Sequence, residues 1–343
     1  MRPSVALSLA IHYLDRELAP GPKVRAFQRA LAVAEDLGDD ELAERSAAGT
    51  LTELDGVGPS TARVITEALA GIDDGYLAEL EQRSRVPVGA GGPVLERLRG
   101  DCHCHTDWSD GGAPLRAMAE TAAALGHEWV AITDHSARLT VAHGLDEDRL
   151  RRQMEEISRL NVDMAPFRIL TGMEVDILED GSLDLSDDLL AELDVVVASV
   201  HSKLRMPSAE MTPRMVAAIA NPNTDILGHC TNRKVVGGGR PPSAFDAEIV
   251  FAACAQFDKA VEINCRPERQ DPPEELLTLA VQWGCKVSVD TDAHATGQLE
   301  WQPYGADKAV RCDVPVSDIV NTWPAEALLE WTAGHSRNQD CGD

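Results

Sequence analysis

The stretch that decides the fold is Asp101-Cys-His103-Cys-His105-Thr-Asp-Trp-Ser-Asp110-Gly, a short run that ends in a polar turn. In a β-strand, residues i and i+2 lie on the same face, so His103 and His105 can reach a common ion. Asp292 and His294 repeat this spacing near the other end of the chain. The two pairs predict strands that end at a metal site.

The chain downstream of this stretch alternates short β-rich runs with helical ones. The β-rich runs lie near Asp101–His105, Trp129–Thr133, Phe167–Val175, Val195–Val200, Asp225–Leu227, Ala260–Asn264 and Lys286–Val289. Strands that alternate with helices predict an α/β fold with a parallel sheet. Seven strands within about 200 residues favour closure into a barrel over an open sheet.

Side chains of the metal-ligand type follow or end most of these strands, where a barrel places its function. They are His103, His105, His135, Glu174, His201, His229, Asp292 and His294. A lone histidine is more often an ordinary hydrogen-bonded residue, but this set takes six of the ten histidines in the chain. Imidazoles with a few carboxylates suit Zn²⁺, Mn²⁺ or Fe²⁺ better than Ca²⁺ or Mg²⁺. So many ligands predict two or three ions, which would generate a hydroxide for phosphoester hydrolysis.

Several separate motifs, in this order, resemble those of the PHP (polymerase and histidinol phosphatase) family. They are the opening stretch, Ile132-Thr-Asp134-His135-Ser, Gly172-Met-Glu174, Ser199-Val-His201-Ser, Gly228-His229, Glu262-Ile-Asn264 and Asp290-Thr-Asp292-Ala-His294. The resemblance covers residues 100 to about 310. It implies a distorted (β/α)7 barrel and an active metal-dependent hydrolase of phosphoester bonds.

The resemblance also implies how the ligands divide among three divalent ions, Zn²⁺ or Mn²⁺, with Fe²⁺ compatible. The first ion would be held by His103, His105, Glu174 and Asp292. The second would be held by Glu174, His201 and His229, and the third by Asp110, His135 and His294. A hydroxide bridging the ions would attack phosphorus. Asp134 could orient His135 or cap the next helix.

Basic residues near the strand ends are the candidate partners of a substrate phosphate. Arg269 best matches the family's Asn…Pro…Arg…Asp pattern, and together with His103 and Asp292 it forms the predicted catalytic set. The remaining cations are equally compatible with a solvated surface, namely Lys203, Arg233, Lys234, Arg240 and Arg266.

The first 85 residues show helical periodicity. One predicted helix has an apolar stripe of Leu7, Ile11, Leu14 and Leu18, and a second has one that includes Phe27 and Leu31. We therefore expect an all-α domain at residues 1–85, a Gly/Pro linker at 86–99 and the barrel at 100–343. The C-terminal region from Val314 should form a closing helix, with a disordered tail after Gly334.

A short segment of the N-terminal region, Leu54-Asp-Gly56-Val-Gly58-Pro-Ser-Thr-Ala62-Arg63, resembles a helix-hairpin-helix motif. Backbone N–H groups of such a turn can receive a DNA phosphate, which makes Gly56, Gly58 and Arg63 candidate nucleic-acid contacts. The alternative is a tight hairpin that only packs. Residues 1–85 resemble the N-terminal domain of bacterial family X DNA polymerases, but a linker stands where their polymerase palm would be. The resemblance therefore leaves exonuclease or 3′-end processing activity.

The charge of the chain limits its partners. With 57 acidic against 31 basic residues, the net charge is −26, which excludes a basic nucleic-acid tail and binding to anionic membranes by charge alone. Ser4 to Ile11 fits a packed helix better than a signal peptide, and eight cysteines without a C-x-x-C pair fit the cytoplasm. A DNA 3′-5′ exonuclease is the leading hypothesis. A small-molecule phosphatase of the histidinol phosphatase type is the alternative, followed by a non-catalytic nucleic-acid-binding module.

Overall fold

A computed structural model describes residues 1–337 of the chain. These residues form two compact units. One unit comprises Met1–Val86 together with Thr296–Gln298, and the other comprises Pro87–Ala295 and the chain from Leu299 onward. None of the described helices combines the length and the apolar character that crossing a bilayer requires.

The first unit is entirely helical. Its α-helices are α1 (Pro3–Arg16), α2 (Gly21–Ala48), α3 (Pro59–Ala70) and α4 (Tyr76–Ser84). Leu7, Leu14 and Ile65 are fully buried in its core. Burial of such side chains contributes about 1.5–3 kcal/mol each. Helix α1 ends before Leu18, which has a positive φ of 55°, so the apolar stripe is one turn shorter than its spacing indicates.

Only one full helix, α3, flanks the turn at residues 56–58, although a helix-hairpin-helix motif has a helix on each side. Residues Leu51–Glu53 form only a 3-10 helix, and Gly56 adopts a φ of 91° that favours glycine. Gly58 then caps α3: its N–H donates to the Thr61 hydroxyl at 2.9 Å, and that hydroxyl donates to the Gly58 carbonyl at 3.0 Å. The segment is thus a tight turn that fastens itself to the first turn of α3.

The second unit is a barrel of seven parallel strands in sequential order. The strands are β1 (Gly100–Asp101), β2 (Trp129–Ile132), β3 (Arg168–Asp176), β4 (Val195–Ser199), β5 (Ile226–Leu227), β6 (Ala260–Asn264) and β7 (Lys286–Asp290). The helices are α5 (Gly92–Leu95), α6 (Leu115–Ala124), α7 (Glu147–Met164), α8 (Asp187–Leu190), α9 (Ser208–Ala220), α10 (Ala247–Gln256), α11 (Glu274–Gln282), α12 (Gln302–Arg311) and α13 (Ala325–Arg337).

Side chains along the strands alternate between two cores. Trp129 and Ala131 pack in one buried cluster, whereas Val130 and Ile132 pack in another with Met118 of α6. This period-2 division is what a sheet covered by helices requires. Parallel strands present their carboxyl ends at one rim, so the loops that follow them meet there.

The barrel closes imperfectly between its first and last strands. At the rim, Cys104 forms a single parallel bridge to Ala293. Below it, the Asn321 amide bridges the two strands by donating to the carbonyls of Gly100 at 3.2 Å and Val289 at 3.1 Å. The predicted distorted (β/α)7 barrel is confirmed. Strand β1 is shorter than the predicted Asp101–His105 because the backbone N–H groups of residues 102–104 donate to the side chains of Asp290, Asp101 and Thr133 instead of to a neighbouring strand.

Two segments at the edges of the barrel contain more helical structure than the sequence pattern predicts. The Gly/Pro-rich segment 86–99 contains α5, and the Gly91 N–H donates to the Asp307 carboxylate at 2.5 Å. The C-terminal helix α13 continues through Gly334 to Arg337, so the prediction of a disordered tail after Gly334 is wrong for these residues. Residues 338–343 lie outside the described part of the chain.

Candidate metal centre

The rim gathers every predicted ligand. His103 and His105 follow β1, His135 follows β2 and forms a bridge to Glu174 of β3, and His229 follows β5. The His103 and His105 rings lie 5.1 Å apart between centroids. Residues that are up to 191 positions apart in the chain thus meet because the strands that carry them are neighbours in one barrel.

Glu174 lies at the centre of this group and is 1% exposed. Its Oε1 is 2.8 Å from His229 Nε2 and 3.2 Å from His201 Nε2. Its Oε2 is 2.9 Å from His135 Nδ1, 3.3 Å from His103 Nε2 and 3.5 Å from His105 Nε2. The two carboxylate oxygens therefore face different imidazoles, two at Oε1 and three at Oε2, as a carboxylate that would be shared between ions requires.

A second group of donors lies toward solvent. It consists of His105, Asp110, His135 and His294, whose donor atoms lie within 4.8 Å of one another. The Asp110 Oδ1 is 3.4 Å from His294 Nε2 and 3.6 Å from His135 Nε2. The side chains of Asp110 and His294 are 35% and 23% exposed, in contrast to the buried Glu174. This group includes His105 in addition to the three residues that the family resemblance implies.

Asp292 connects the metal-ligand cluster to the candidate substrate cation. Its Oδ1 is 3.4 Å from His105 Nε2, and its Oδ2 is 3.3 Å from Arg269 Nε. The Asn264 amide donates to the same Oδ2 at 3.1 Å. Asp292 adopts a φ of 50°, a conformation that non-glycine residues rarely keep unless their surroundings hold it there.

The donor atoms in this cluster fit divalent cations. Among the described residues, buried atoms without a hydrogen-bond partner include His103 Nε2, both ring nitrogens of His105, and Glu174 Oε2. Buried polar atoms are normally paired, so their convergence indicates a missing positive partner. Six imidazoles with three carboxylates match the ligands that Zn²⁺, Mn²⁺ or Fe²⁺ prefer. Such ions would lower the pKa of bound water and neutralise phosphate oxygens.

The carboxylates and imidazoles change each other's pKa values in the metal-free state. Burial opposes the charged form of Glu174, but His201, His103 and His135 outweigh it and hold the pKa of Glu174 well below its ordinary range. Burial likewise opposes protonation of His201, yet Glu174 and Asp176 raise its pKa to about 9. The same balance, with Glu174 and Glu262, raises the pKa of His103 well above its ordinary value. Protons therefore occupy part of the space that metal ions would take.

The structure identifies carboxylates to which the sequence analysis assigned no role. Glu262 accepts from His103 Nδ1 at 2.6 Å and also accepts the His229 backbone N–H. Asp176 accepts the His201 backbone N–H at 3.0 Å, and its Oδ1 lies 3.4 Å from Nδ1 of the His201 ring. Such contacts fix the orientation of a ligand ring. Glu262 and Asn264 share one face of β6 by their i, i+2 spacing, and that signal could have identified both.

Asp134 neither orients His135 nor caps a helix. Its carboxylate accepts from the backbone N–H of Thr106 at 2.8 Å, from the Thr106 hydroxyl at 2.7 Å and from Gln153 at 2.6 Å. It also accepts from the Ser109 hydroxyl. Asp134 therefore secures the loop that leads to Asp110.

The candidate substrate cations differ in their contacts. Arg266 donates to the Asp292 carbonyl at 2.6 Å and pairs with Glu268 at 2.9 Å, so it is held within the rim beside Arg269. Lys203 lies 3.7 Å from the Glu179 carboxylate and is mostly exposed. Arg269 and Arg266 are thus placed against the cluster, whereas Lys203 already has an acidic partner.

The candidate DNA contacts lie in the helical unit, where Gly58 and Arg63 already have internal partners. The Val57 N–H donates to the Leu54 carbonyl at 3.1 Å, and the Gly58 N–H donates to Thr61. The Arg63 guanidinium lies 2.6 Å from Glu67 and 3.1 Å from Glu79. A DNA-binding role of Gly56, Gly58 and Arg63 stays a prediction, and these contacts weigh against it.

Comparisons with known proteins place the chain in a family. The model of the PHP domain matches residues 101–264. The DNA polymerase/3′-5′ exonuclease PolX of Bacillus subtilis (strain 168) is 38% identical over 244 residues, which are 71% of this chain and 42% of that protein. A probable phosphatase of Thermoanaerobacter sp. (strain X514) is 32% identical over 209 residues, which are 57% of this chain and 79% of that protein.

A solved structure shows lower similarity. It is the crystal structure of histidinol phosphate phosphatase from Lactococcus lactis complexed with zinc, L-histidinol and phosphate. That protein is 19% identical, with a TM-score of 0.46, and the match covers 63% of this chain and 92% of that one. The PHP-domain match and the two curated relatives show the family of this chain. The chain spans less than half of the length of PolX. The chain belongs to the PHP family and is a metal-dependent hydrolase of phosphoester bonds.

Proposed function

We propose that the chain hydrolyses phosphodiester bonds at the 3′ end of DNA, as a 3′-5′ exonuclease or a 3′-end processing enzyme. The proposal is carried by the open side of the metal-ligand cluster, where Asp110 and His294 are the most exposed ligands. A phosphodiester, which carries a chain on both sides of phosphorus, needs such an approach. The similarity to PolX, whose name includes a 3′-5′ exonuclease, supports the same substrate.

The roles of the residues follow from their positions. Arg269 is the cation that would take a non-bridging phosphate oxygen, because its guanidinium lies against Asp292 and is 15% exposed. Asn264 and Arg266 hold Asp292 through its carboxylate and its carbonyl. Glu262 and Asp176 hold the imidazoles of His103 and His201 in position. We further propose three ions, Zn²⁺ or Mn²⁺, divided among the ligands as the family resemblance implies.

A small-molecule phosphatase is the second candidate function. The Gly58 N–H is already bonded and Arg63 is already paired, so the turn predicted to contact DNA has few groups left for it. The net charge of −26 also disfavours a long polyanion. Similarity to probable phosphatases agrees with this function. The complete ligand set speaks against a non-catalytic module.

The experiment compares the two substrate classes on one preparation. The full chain with Mn²⁺ is incubated with 5′-labelled single-stranded DNA and, separately, with histidinol phosphate or a nucleoside monophosphate. We expect stepwise shortening of the DNA from its 3′ end. Intact DNA combined with phosphate release from the small molecules would overturn the exonuclease proposal.

A matched pair of variants separates catalysis from folding in this experiment. Asp292→Asn should abolish hydrolysis of every substrate because it removes a ligand charge at the cluster. Asp313→Asn is the control, since Asp313 is exposed and has a similar φ of 53°. Asp313→Asn makes the same Asp-to-Asn change at a residue with a positive φ that lies outside the cluster. The activity of this variant should equal that of the wild type.

A further inference from the structure

The loop that follows the ligand His229 folds back on itself beside the rim. The backbones of Lys234 and Arg240 bond to each other in both directions at 2.9 Å. Gly237 and Gly239, with φ values of 73° and 66°, form its exposed tip. We call residues 232–240 the basic hairpin. The two backbone hydrogen bonds at its base hold the cationic residues Lys234 and Arg240 opposite each other.

The basic hairpin is fastened to the loop that carries Arg269. The Val235 N–H donates to the Glu268 carbonyl at 2.7 Å, and Arg233 Nε donates to the Arg269 carbonyl at 3.1 Å. Buried Asn232 connects the two cations, because it accepts from Arg269 through its side chain and from Arg240 through its carbonyl, at 3.4 and 2.6 Å. The hairpin thus extends the positive charge of Arg269 away from the cluster.

The charges in this region are not balanced. Neither Lys234 nor Arg240 forms an ion pair with any carboxylate in the described part of the chain. The carboxylates that reach them are engaged elsewhere, since Glu268 pairs with Arg266 and Asp271 accepts from Thr231 at 2.6 Å. Like charges held together cost stability unless an anion joins them.

The pKa values agree with this crowding. Partial burial and the positive charges of Arg269 and Arg240 lower the pKa of Lys234 below its ordinary value. Burial and Arg269 lower the pKa of Arg240 in the same direction. The three cations therefore influence one another across the hairpin and the Arg269 loop.

We infer that the basic hairpin is a second phosphate subsite, in which Lys234 and Arg240 bind a phosphate next to the one held at the metal-ligand cluster. A single phosphomonoester would need only the cluster and Arg269. The substrate class is therefore a molecule with two nearby phosphates, such as the end of a nucleic-acid strand or a nucleoside bisphosphate. The inference rests on the proposed function only in placing the reacting phosphate at the cluster.

Binding measured by calorimetry tests the subsite without requiring hydrolysis of DNA. The Mn²⁺-loaded full chain is titrated with thymidine 5′-monophosphate and with thymidine 3′,5′-bisphosphate. We expect the bisphosphate to bind at least about tenfold more tightly. In the Lys234→Gln/Arg240→Gln variant, this ratio should fall toward one. An unchanged ratio in the variant, or equal affinity for both ligands in the wild type, would overturn the inference.

A charge-matched control excludes a general field effect. Arg97→Gln/Arg159→Gln also removes two exposed positive charges, one of them just before the amino end of β1 and the other on α7. This variant should keep the wild-type ratio. An equal loss of affinity for both nucleotides in the hairpin variant would indicate long-range attraction and contradict a local subsite.

Cleavage of d(TpT) and d(pTpT) separates failure of this inference from failure of the proposed function. Preferential cleavage of d(pTpT) that depends on Lys234 and Arg240 supports both. Cleavage of both dinucleotides at the same rate contradicts the subsite and leaves the exonuclease proposal intact. A normal bisphosphate preference in calorimetry without any cleavage contradicts the exonuclease proposal and supports the subsite.

Discussion

The rim of the barrel and the turn at Gly58 are both predicted from the sequence to bind phosphate, but their polar atoms differ in how they are used. At the rim, buried His103 Nε2 and both ring nitrogens of His105 have no hydrogen-bond partner among the described residues. At the turn, the Gly58 N–H is bonded to Thr61, and Arg63 is bonded to Glu67 and Glu79.

This difference separates a binding site from a polar structural motif. A buried donor or acceptor without a partner costs about 1–3 kcal/mol, so a fold keeps several together only where a ligand joins them. A turn whose donors are already bonded gains little from a phosphate. The convergence of unpaired atoms, more than the motif itself, therefore marks the functional part of this chain.

The largest expected effect is that of Glu174→Gln. Loss of the central carboxylate charge should lower kcat on the order of a thousandfold, because several kcal/mol of charge stabilisation depend on the ions it holds. Phosphoester hydrolysis and bound metal are measured on the same sample. Glu179→Gln, at an exposed acid paired with Lys203, is the control and should retain activity. Wild-type activity in Glu174→Gln would contradict the assignment.

A second prediction concerns the pH dependence of stabilisation by metal. His201, whose pKa rises from 6.5 to about 9 in the folded metal-free chain, adds stability below pH 6.5 that is lost as the pH rises through 9. Metal binding needs the deprotonated imidazole, so the affinity for metal should increase as the pH rises from 6.5 to 9. The Tm difference between Mn²⁺-loaded and EDTA-treated protein should increase from pH 6.5 to 9. A difference that shrinks with pH would refute this account.

A smaller effect is expected at the turn, where the polar atoms are structural. Thr61→Val removes the hydroxyl that bonds twice to Gly58, and it should lower the free energy of unfolding by about 1 kcal/mol. Urea denaturation measures this loss. Ser60→Ala, at the exposed neighbouring position, should change stability by less than about 0.5 kcal/mol. Equal losses in the two variants would show that the Thr61 contacts contribute nothing.

The smallest effect should come from Arg63→Gln. Its guanidinium is already paired with Glu67 and Glu79, and these two negative charges oppose the approach of a DNA phosphate. Exposed ion pairs of this kind contribute only about 0–1 kcal/mol to stability, so the variant should fold like the wild type. We expect DNA cleavage at low salt to change less than about twofold. A tenfold loss confined to DNA substrates would instead support the helix-hairpin-helix prediction.

Much of the barrel could be predicted from the sequence because its signals are local. The alternation of strands and helices and the i, i+2 pairs at His103 and Asp292 depend on residues that are close in the chain. The positions of the seven strands agree with the prediction to within a few residues, and every candidate ligand lies at the rim.

The remaining features depend on contacts that only the closed fold creates. The bond between Glu262 and His103 joins residues that are 159 positions apart. Asn321, which lies between β1 and β7, is 221 positions from its partner Gly100. The pairing of Arg63 with Glu79 likewise depends on how α3 and α4 meet. No local pattern reports whether a polar atom has found a partner, and that property decides between the rim and the turn.

The most direct test of the central claim is a Mn²⁺ titration of the metal-free chain, with bound metal and phosphodiester hydrolysis followed together. We predict that activity appears only with bound metal and reaches its plateau near three ions per chain, and that Glu174→Gln binds fewer ions. Full hydrolysis by a chelator-treated chain without metal, or wild-type metal binding by Glu174→Gln, would contradict the claim that the rim is a metal centre built around Glu174.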